Sequence, residues 1–353
     1  MDDKTQRLQD LPRKAARFCL GIGSFAAHEL GCDFPSLHCL VACSGGADST
    51  ALLRIAHLLA QTRGGTVSAA HLDHSLRPES PHDAEFVSQL CAPLGVELHS
   101  ERQDIASQAQ ASGMGLEEAG RVARYAFLER IRHQIGADVI LVAHQLNDLA
   151  EDQLLRLMRG TGWPALGGME GHDPGRKLLR PLLLCPRAHL EDFLRISHQP
   201  WRDDISNFDR ATTRNRVRHD VLPELLRNNP CYLDSAARLW RQARMDATHW
   251  DAALADVLPK VLLQTTDLAN RERRLIPAKV LKSCPAPLRL RLYKAVLEAT
   301  GPGQSLCDGL FRLDELWQTR GTGKSVRFPG DKEARISRTG IAVQVIDRKK
   351  ECG

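Results

Sequence analysis

The fold of this chain is most constrained by a short apolar run that ends in glycines and leads directly into an amphipathic segment. The run reads His-Cys-Leu-Val-Ala-Cys over residues 38–43. Its continuous apolar character is typical of a strand buried on both faces of a parallel sheet. Apolar residues then recur at helical spacing over residues 49–59. The sequence between them therefore predicts a tight turn from strand to helix.

The same alternation of strand and helix continues through the first half of the chain. Apolar runs predict strands at residues 38–43, 67–71, 96–99 and 137–143, and helical periodicity predicts helices at residues 49–59, 81–91, 116–134 and 147–158. Residues 159–177 are punctuated by glycine and proline, which predicts a long loop. Strands that alternate with helices predict an α/β fold, in which helices cover both faces of a parallel sheet.

The chain length of 353 residues favours two domains over one. From about residue 222 the pattern becomes mostly helical, and it finishes in short strands near residues 325–328 and 341–345. We therefore predict an α/β catalytic domain over residues 1–222. A smaller, mainly helical domain over residues 223–353, with short C-terminal strands, would bind the substrate.

Composition excludes several other classes of protein. The chain is 42% hydrophobic and 26% charged, with a net charge of +5, which is compatible with a nucleic-acid partner without establishing one. None of the ten cysteines forms a C-x-x-C pair, which argues against a zinc ribbon or an iron–sulfur cradle. No apolar run reaches membrane-spanning length, and the acidic start is unlike a secretory signal. We expect a cytoplasmic protein without a metal-ligand cluster or a membrane partner.

The turn after the first predicted strand has the chemistry of a phosphate site. It reads Ser44-Gly45-Gly46-Ala47-Asp48-Ser49. Glycines allow backbone N–H groups to approach phosphate closely, and a helix amino terminus adds partial positive charge. The two serine hydroxyls can donate to phosphate oxygens, and Asp48 suits Mg²⁺ or a cationic substrate. A bare glycine pair would favour a plain structural turn, but the serines and aspartate at fixed offsets predict ATP binding. No lysine follows, so this is not a Walker loop.

Charged side chains follow the other predicted strands. His74 comes after the second strand and is expected to form a wall of the nucleotide pocket. Arg121 and Arg124 lie on one face of the predicted helix 116–134, where they can neutralise phosphates, although a solvated face is the alternative. Asp148 and Glu151 share a face of the helix after the fourth strand, where capping of the helix dipole can coexist with a functional role.

Taken in order, these segments resemble the tRNA(Ile)-lysidine synthetase family of PP-loop ATP pyrophosphatases. The matching motifs are S-G-G-x-D-S at 44–49, H-x-D-H-x-L-R at 71–77, E-x-x-x-R-x-x-R-Y at 117–125, H-x-x-x-D-x-x-E at 144–151, R-G-[ST]-G at 159–162, R-P-L-L at 180–183, D-x-S-N-x-D at 204–209 and R-N-x-[IV]-R at 214–218. The resemblance covers residues 39–223 and is specific because the whole set occurs in register. Asn147, Asp152 and Gly120 depart from the residues usual in the family.

The resemblance implies a Rossmann-like PP-loop sheet and a two-step reaction. The first anticodon cytidine of tRNA(Ile) with a CAU anticodon would attack the α-phosphate of ATP and release pyrophosphate. Free L-lysine would then displace AMP. ATP and Mg²⁺ would be the cofactors, and a homodimer is compatible with the sequence. The main alternative is another PP-loop adenylating enzyme such as a tRNA thiolase; a nucleotide-binding RNA-docking protein without turnover is a second.

The resemblance also assigns roles to individual residues. The catalytic residues would be Asp48, Asp148, Glu151, Arg121 and Arg214. The ATP site would comprise Ser44, Gly45, Gly46, Ala47, Asp48, Ser49, His74 and Arg124. Lysine would bind to Asp48, Asp148 and Glu151. From their charge, we expect the tRNA to contact Arg216, Arg218, Arg238 and Arg241, although a solvated basic face is the alternative for the last two.

Overall fold

The computed structural model describes residues 7–75, 80–202, 212–262, 274–303 and 305–346. The chain divides into two compact units. Unit 1 comprises Met1–Thr161 and Ala165–Trp240, and unit 2 comprises Gly162–Pro164 and Arg241–Gly353. Unit 1 extends to Trp240 because that side chain and Ala237 belong to its hydrophobic core. The domain boundary at residue 222 stays a prediction.

Unit 1 is an α/β structure, as the sequence predicts. Its strands are β1 (His38–Ala42), β2 (Thr66–Asp73), β3 (Glu97–Arg102), β4 (Val139–Leu141), β5 (His172–Asp173) and β6 (Leu178–Leu179). Its helices are α1 (Arg13–His28), α2 (Ala47–Arg63), α3 (Ser80–Cys91), α4 (Ile105–Ser112), α5 (Leu116–Ile135), α6 (Leu146–Met158), α7 (Arg187–Ile196), α8 (Thr213–Arg216) and α9 (Leu222–Asn228). A π-helical turn, Val217–Val221, joins α8 to α9. The long helix α10 (Tyr232–Leu262) begins in unit 1.

The sheet of unit 1 has the strand order β3-β2-β1-β4-β6-β5. Strand β1 pairs in parallel with both β2 and β4, so the carboxyl ends of these three strands meet at one edge. In open α/β sheets this edge is where ligands bind. Our prediction of a purely parallel sheet is wrong at one end, since β5 runs antiparallel to β6. Strand β5 lies within the predicted loop 159–177, where two residues are too few to show periodicity.

Helices cover both faces of the sheet because alternate residues of β1 point in opposite directions. Val41 belongs to a core cluster with residues of α1, α2 and α7. Leu40 belongs to a second cluster, in which Phe127 and Leu128 of α5 are buried. Both β1 residues are fully buried. The predicted fold class, with helices on each face of the sheet, is therefore confirmed.

Unit 2 combines helices with a small antiparallel sheet. After α10 it contains β7 (Arg274–Pro277), α11 (Ala278–Ser283), α12 (Ala286–Thr300), α13 (Cys307–Gln318), β8 (Ser325–Phe328), β9 (Lys332–Ser337) and β10 (Gly340–Val345). The strand order is β7-β10-β9-β8. Strands β8 and β10 occur where the sequence predicts strands, whereas β7 and β9 are additional. Across the described ranges, no helix is long and apolar enough to cross a lipid bilayer.

Candidate active site

The turn between β1 and α2 is shaped by two serine side chains. The backbone N–H of Ser44 donates to Ser49 Oγ at 3.1 Å, and the two serine hydroxyl oxygens are also 3.1 Å apart. Ser49 Oγ donates in turn to the carbonyl oxygen of Gly46 at 3.1 Å. Gly46 is the N-cap of α2 and has no side chain to occupy the first-turn N–H groups. The turn therefore presents donors to an anion at a helix amino terminus.

Gly45 is required at its position for two separate reasons. Its φ of +84° lies in the left-handed region, which is costly for residues with a Cβ atom. A Cβ atom there would lie 3.2 Å from Phe86 Cδ1 and 3.3 Å from Val87 Cγ2 of α3. The carbonyl oxygen of Gly45 accepts a hydrogen bond of 3.0 Å from the backbone of Arg202. Neighbouring elements therefore hold the turn against α3 and the segment after α7.

Asp48, in the first turn of α2, has an unusual carboxyl group. Its Oδ1 atom is buried and has no hydrogen-bond partner among the described residues. Burial raises the pKa of Asp48 to about 6, and the negative charge of Asp148 adds to the effect. The positive charges of Arg187 and Arg218 partly offset this rise in pKa. An unpartnered, partly buried oxygen of this kind fits a cation, either Mg²⁺ or an ammonium group.

Two carboxylates and two guanidinium groups meet beside this turn, and we call Asp148, Glu151, Arg214 and Arg218 the charge cluster. Arg214 donates through Nε to Glu151 Oε2 and through Nη2 to Asp148 Oδ1, each at 3.1 Å. Arg218 donates through Nε to Glu151 Oε1 at 2.6 Å and through Nη2 to Asp148 Oδ1 at 2.9 Å. The Glu151 side chain is only 1% exposed. Burial of such a charge requires this degree of pairing.

Local sequence explains how the charge cluster is assembled. Helix α6 starts directly after β4, with Gln145 as its N-cap, and the Gln145 N–H donates to Asp148 Oδ2 at 3.1 Å. The predicted capping role of Asp148 thus coexists with its contacts to arginine. Glu151 is one turn further along the same helix. Arg214 lies in α8 and Arg218 in the π-helical turn that follows it. Single π-turns of this kind are frequent at functional sites.

A second buried pair, His144 and Arg180, was not among the predicted site residues. Arg180 is buried and donates from Nε to His144 Nδ1 at 3.1 Å and from Nη1 to the Glu170 carbonyl oxygen at 2.7 Å. Burial lowers the pKa of His144, despite the opposing charge of Asp148, and nearby arginines lower it further. His144 is therefore a neutral acceptor at neutral pH. The R-P-L-L motif marks Arg180 in the sequence but does not reveal its partner.

The predicted nucleotide-site residues outside the turn lie directly after β2 and on α5. His74 is half-buried, 3.5 Å from where a Cβ atom would stand on Gly120, and burial together with Arg124 lowers its pKa. His71 Nδ1 is 2.9 Å from the carbonyl oxygen of Cys43, which ties the end of β2 to β1. Arg121 is exposed and lies 5.7 Å from the centre of the Tyr125 ring.

The predicted tRNA contacts fall into two groups. Arg216, Arg238 and Arg241 are exposed on α8 and α10. Arg218 is held in the charge cluster instead, with 22% of its side chain exposed. Arg77 of the second motif and the whole D-x-S-N-x-D motif at 204–209 lie outside the described residues.

Comparisons with known proteins agree with this geometry. The PP-loop domain family matches residues 25–225. A tRNA(Ile)-lysidine synthase from Nitratidesulfovibrio vulgaris is 41% identical over 315 residues, covering 86% of this chain and 91% of the relative. One from Thermus thermophilus is 43% identical over 266 residues, covering 74% of this chain and 49% of the relative.

A further relative and one solved structure agree with this family and fold. A tRNA(Ile)-lysidine synthase from Geobacter sulfurreducens is 36% identical over 77% of this chain, which spans 57% of that relative. Among solved structures, a U34-tRNA thiolase from Methanococcus maripaludis has a TM-score of 0.55 at 16% identity. That match covers 68% of this chain and 83% of the thiolase, and it supports the fold alone. By sequence, this chain belongs to the tRNA(Ile)-lysidine synthase family of PP-loop proteins.

Proposed function

We propose that this protein ligates free L-lysine to the first anticodon cytidine of tRNA(Ile) bearing a CAU anticodon, at the expense of ATP. The observation that carries the proposal is the placement of a phosphate-type turn and the charge cluster at one edge of a parallel sheet. An adenylating enzyme needs donors for phosphate, and a lysine-transferring enzyme also needs carboxylates for an ammonium group. Both are supplied by residues that follow β1 and β4.

In the first step, the cytosine carbonyl oxygen attacks the α-phosphorus of ATP, and the bond to the β-phosphate oxygen breaks. The backbone N–H groups of the turn, with Ser44 and Ser49, hold the phosphates. Exposed Arg121 and Arg124 offset the charge of the departing pyrophosphate. The products of this step are the adenylated base and pyrophosphate.

Mg²⁺ fits the same site. The buried Asp48 Oδ1 atom has no other partner among the described residues, and a carboxylate with phosphate oxygens and water is the usual magnesium environment. Within the described ranges, no group of three or more His, Cys, Asp or Glu side chains could hold a metal without substrate. Asp48 would therefore hold Mg²⁺ together with ATP, where the ion would neutralise phosphate charge.

In the second step, the ε-amine of lysine attacks the activated carbon of the base, and AMP leaves. The amine must lose a proton before it attacks. Asp48, whose pKa is raised to about 6 in the protein without a bound cation, is the carboxylate that we assign to accept that proton after pyrophosphate has left. Asp148 and Glu151 would bind the incoming ammonium group before it is deprotonated. Arg214 would contact the phosphate of the adenylate.

Labelled lysine tests the proposal directly. The protein is incubated with ATP, Mg²⁺, labelled lysine and a tRNA(Ile) transcript with a CAU anticodon. A transcript that differs only in having guanosine at the first anticodon position is the matched control. We expect label in the first transcript and none in the second. A folded protein that labels neither would exclude lysidine synthesis.

Substitution of the acids tests their assignment. We expect Asp48→Asn and Glu151→Gln to reduce lysine transfer by at least about 100-fold, as for groups that act directly in the chemical step. Circular dichroism would establish that the fold persists. Asp192→Asn, an exposed acid on α7, is the control and is expected to retain full activity. Near-normal transfer by both site variants would remove the proposed lysine pocket.

A further inference from the structure

In the charge cluster, the guanidinium group of Arg218 lies where the proposed function requires the ammonium group of the substrate lysine. The three carboxylates assigned to lysine are those of Asp48, Asp148 and Glu151. Arg218 donates to Asp148 Oδ1 at 2.9 Å and to both oxygens of Glu151, at 2.6 and 3.1 Å. Its guanidinium group therefore already occupies carboxylate lone pairs that an ammonium group would use.

Arg218 hydrogen-bonds to Glu151 and Asp148, and its positive charge also interacts with the negative charge of Asp48. Burial by itself would lower the pKa of the Arg218 guanidinium, but the hydrogen bond and charge of Glu151 raise it above its ordinary value. The negative charges of Asp148 and Asp48 contribute in the same direction. For Arg214 the corresponding contributions come from Asp148 and Glu151. The position of Arg218 is thus the one that a lysine ammonium bound to the three acids would occupy.

We propose that Arg218 stands in for the substrate ammonium in the free enzyme, and that lysine binding exchanges it for the ε-ammonium group. This inference rests on the proposed function. The exchange replaces one positive charge by another, so the charge balance of the buried acids does not change. Arg214 stays bound to Glu151 and Asp148 throughout.

The exchange is physically accessible because the net charge around the buried acids does not change. Removing a cation from a buried carboxylate without replacement is strongly destabilising. Glu151 is almost completely buried, so the loss of Arg218 would leave its charge balanced by Arg214 alone unless another cation entered. The π-helical turn, Val217–Val221, carries Arg218 on backbone that is not regular α-helix. Once released, the guanidinium group can bind the α-phosphate, which couples lysine entry to stabilisation of the adenylate.

Binding of lysine without tRNA distinguishes exchange from a permanent ion pair. In Arg218→Ala the competing guanidinium group is absent, so we expect calorimetry to give a lysine dissociation constant at least about fivefold lower than in the wild-type protein. Guanidinium ion added at millimolar concentration should reverse that gain in lysine affinity, because it would compete with lysine for the site that the Arg218 side chain no longer fills. A permanent structural pair predicts the opposite result, namely unchanged or weaker lysine binding in Arg218→Ala.

A control variant and a second substitution of Arg218 complete this test. Arg227→Ala removes an exposed arginine from α9 and should leave lysine affinity unchanged. If Arg218→Ala does not fold, Arg218→Lys supplies a shorter cation and should still bind lysine more tightly than the wild type. Suppose that the wild-type protein labels tRNA but every folded Arg218 variant binds lysine with unchanged affinity. That result would overturn the exchange and leave the proposed function intact. A wild-type protein that labels no tRNA would instead count against the proposed function.

Discussion

At the scale of single residues, the site is defined by how each carboxylate is neutralised. Glu151 and Asp148 are paired with arginines, whereas Oδ1 of Asp48 has no partner within the described residues. The two situations have opposite consequences. The arginines compensate the buried charge of the paired acids, whereas burial of the unpaired Asp48 carboxyl raises its pKa. We therefore expect the protonation of Asp48 to respond to the arrival of ATP, Mg²⁺ or lysine.

The raised pKa of Asp48 predicts a specific dependence of stability on pH. The folded protein binds this proton with a pKa of about 6, above the ordinary value of 3.8 for the unfolded chain. The contribution of Asp48 to the free energy of unfolding is therefore fully present below pH 4 and is lost as the pH rises through 6. Asp48→Asn, which cannot ionise, should be more stable than the wild type at pH 8 by roughly 2 kcal/mol, and by much less at pH 4.

Thermal denaturation at pH 4, 6 and 8 measures this difference. Asp192→Asn removes a carboxylate whose side chain is 54% exposed, so it serves as the control without such a pH-dependent gain. A melting temperature for Asp48→Asn that is below that of the wild type at pH 8 would contradict the burial argument.

At the scale of elements, the turn between β1 and α2 depends on its backbone. Gly45→Ala introduces a Cβ atom at a positive φ and within 3.3 Å of α3. We expect it to lower stability by about 1–3 kcal/mol and to weaken ATP binding, because the turn must distort. Gly21→Ala, in the exposed part of α1 with no atom within 4 Å of the new Cβ, is the control. It should stabilise the protein slightly. Equal ATP affinity in the two variants, measured by calorimetry, would contradict the role given to Gly45.

In unit 2, a buried lysine ties helix α12 to the small sheet. Lys332 of β9 is fully buried, and its Nζ atom donates to the carbonyl oxygens of Leu297, Gly301 and Gly303 at 3.1, 3.0 and 2.8 Å. Lys332→Met leaves these three acceptors without their donor, so we expect a loss of roughly 2–4 kcal/mol in urea denaturation. Lys324→Met, at an exposed position, should change stability by less than about 0.5 kcal/mol. A Lys332→Met protein as stable as the control would refute this role.

The difference between the predicted and observed elements has a physical origin. Strands β1, β2 and β4 are predicted because their apolar runs are long enough to show a pattern. Strands β5 and β6 have two residues each, and their existence depends on the pairing of β6 with β4 and of β5 with β6, which no local pattern records. Arg218 shows the same limit in the site. Sequence reveals its charge and its motif, but only the fold reveals that two carboxylates bind it.

At the scale of the whole molecule, charge is divided unevenly along the chain. Residues 241–353 contain 21 lysines and arginines against 13 aspartates and glutamates, whereas the rest of the chain has 27 against 30. Unit 1 is thus slightly acidic, and the basic excess lies in unit 2. A polyanion such as tRNA would be attracted mainly by unit 2.

Salt dependence tests the predicted tRNA contacts. If Arg238 or Arg241 binds a phosphate, its change to alanine should reduce the slope of log affinity against log salt concentration by about 1. Arg63→Ala is the matched control, since Arg63 is exposed at the far end of α2 and paired with Asp33. Filter binding over a range of salt concentrations gives the slopes. Slopes equal to those of the wild type and the control would remove these arginines from the interface.

The central claim is that ATP cleavage by this protein activates a tRNA base for attack by lysine. The most direct test is to measure pyrophosphate, AMP and modified nucleoside in one reaction with tRNA(Ile), the last by mass spectrometry of the digested tRNA. The account predicts that the three products appear in equal amounts when lysine is present, that AMP and the modified nucleoside depend on lysine, and that all three depend on the first anticodon cytidine. Pyrophosphate and AMP released in step with each other, with no lysine found on the tRNA, would contradict it.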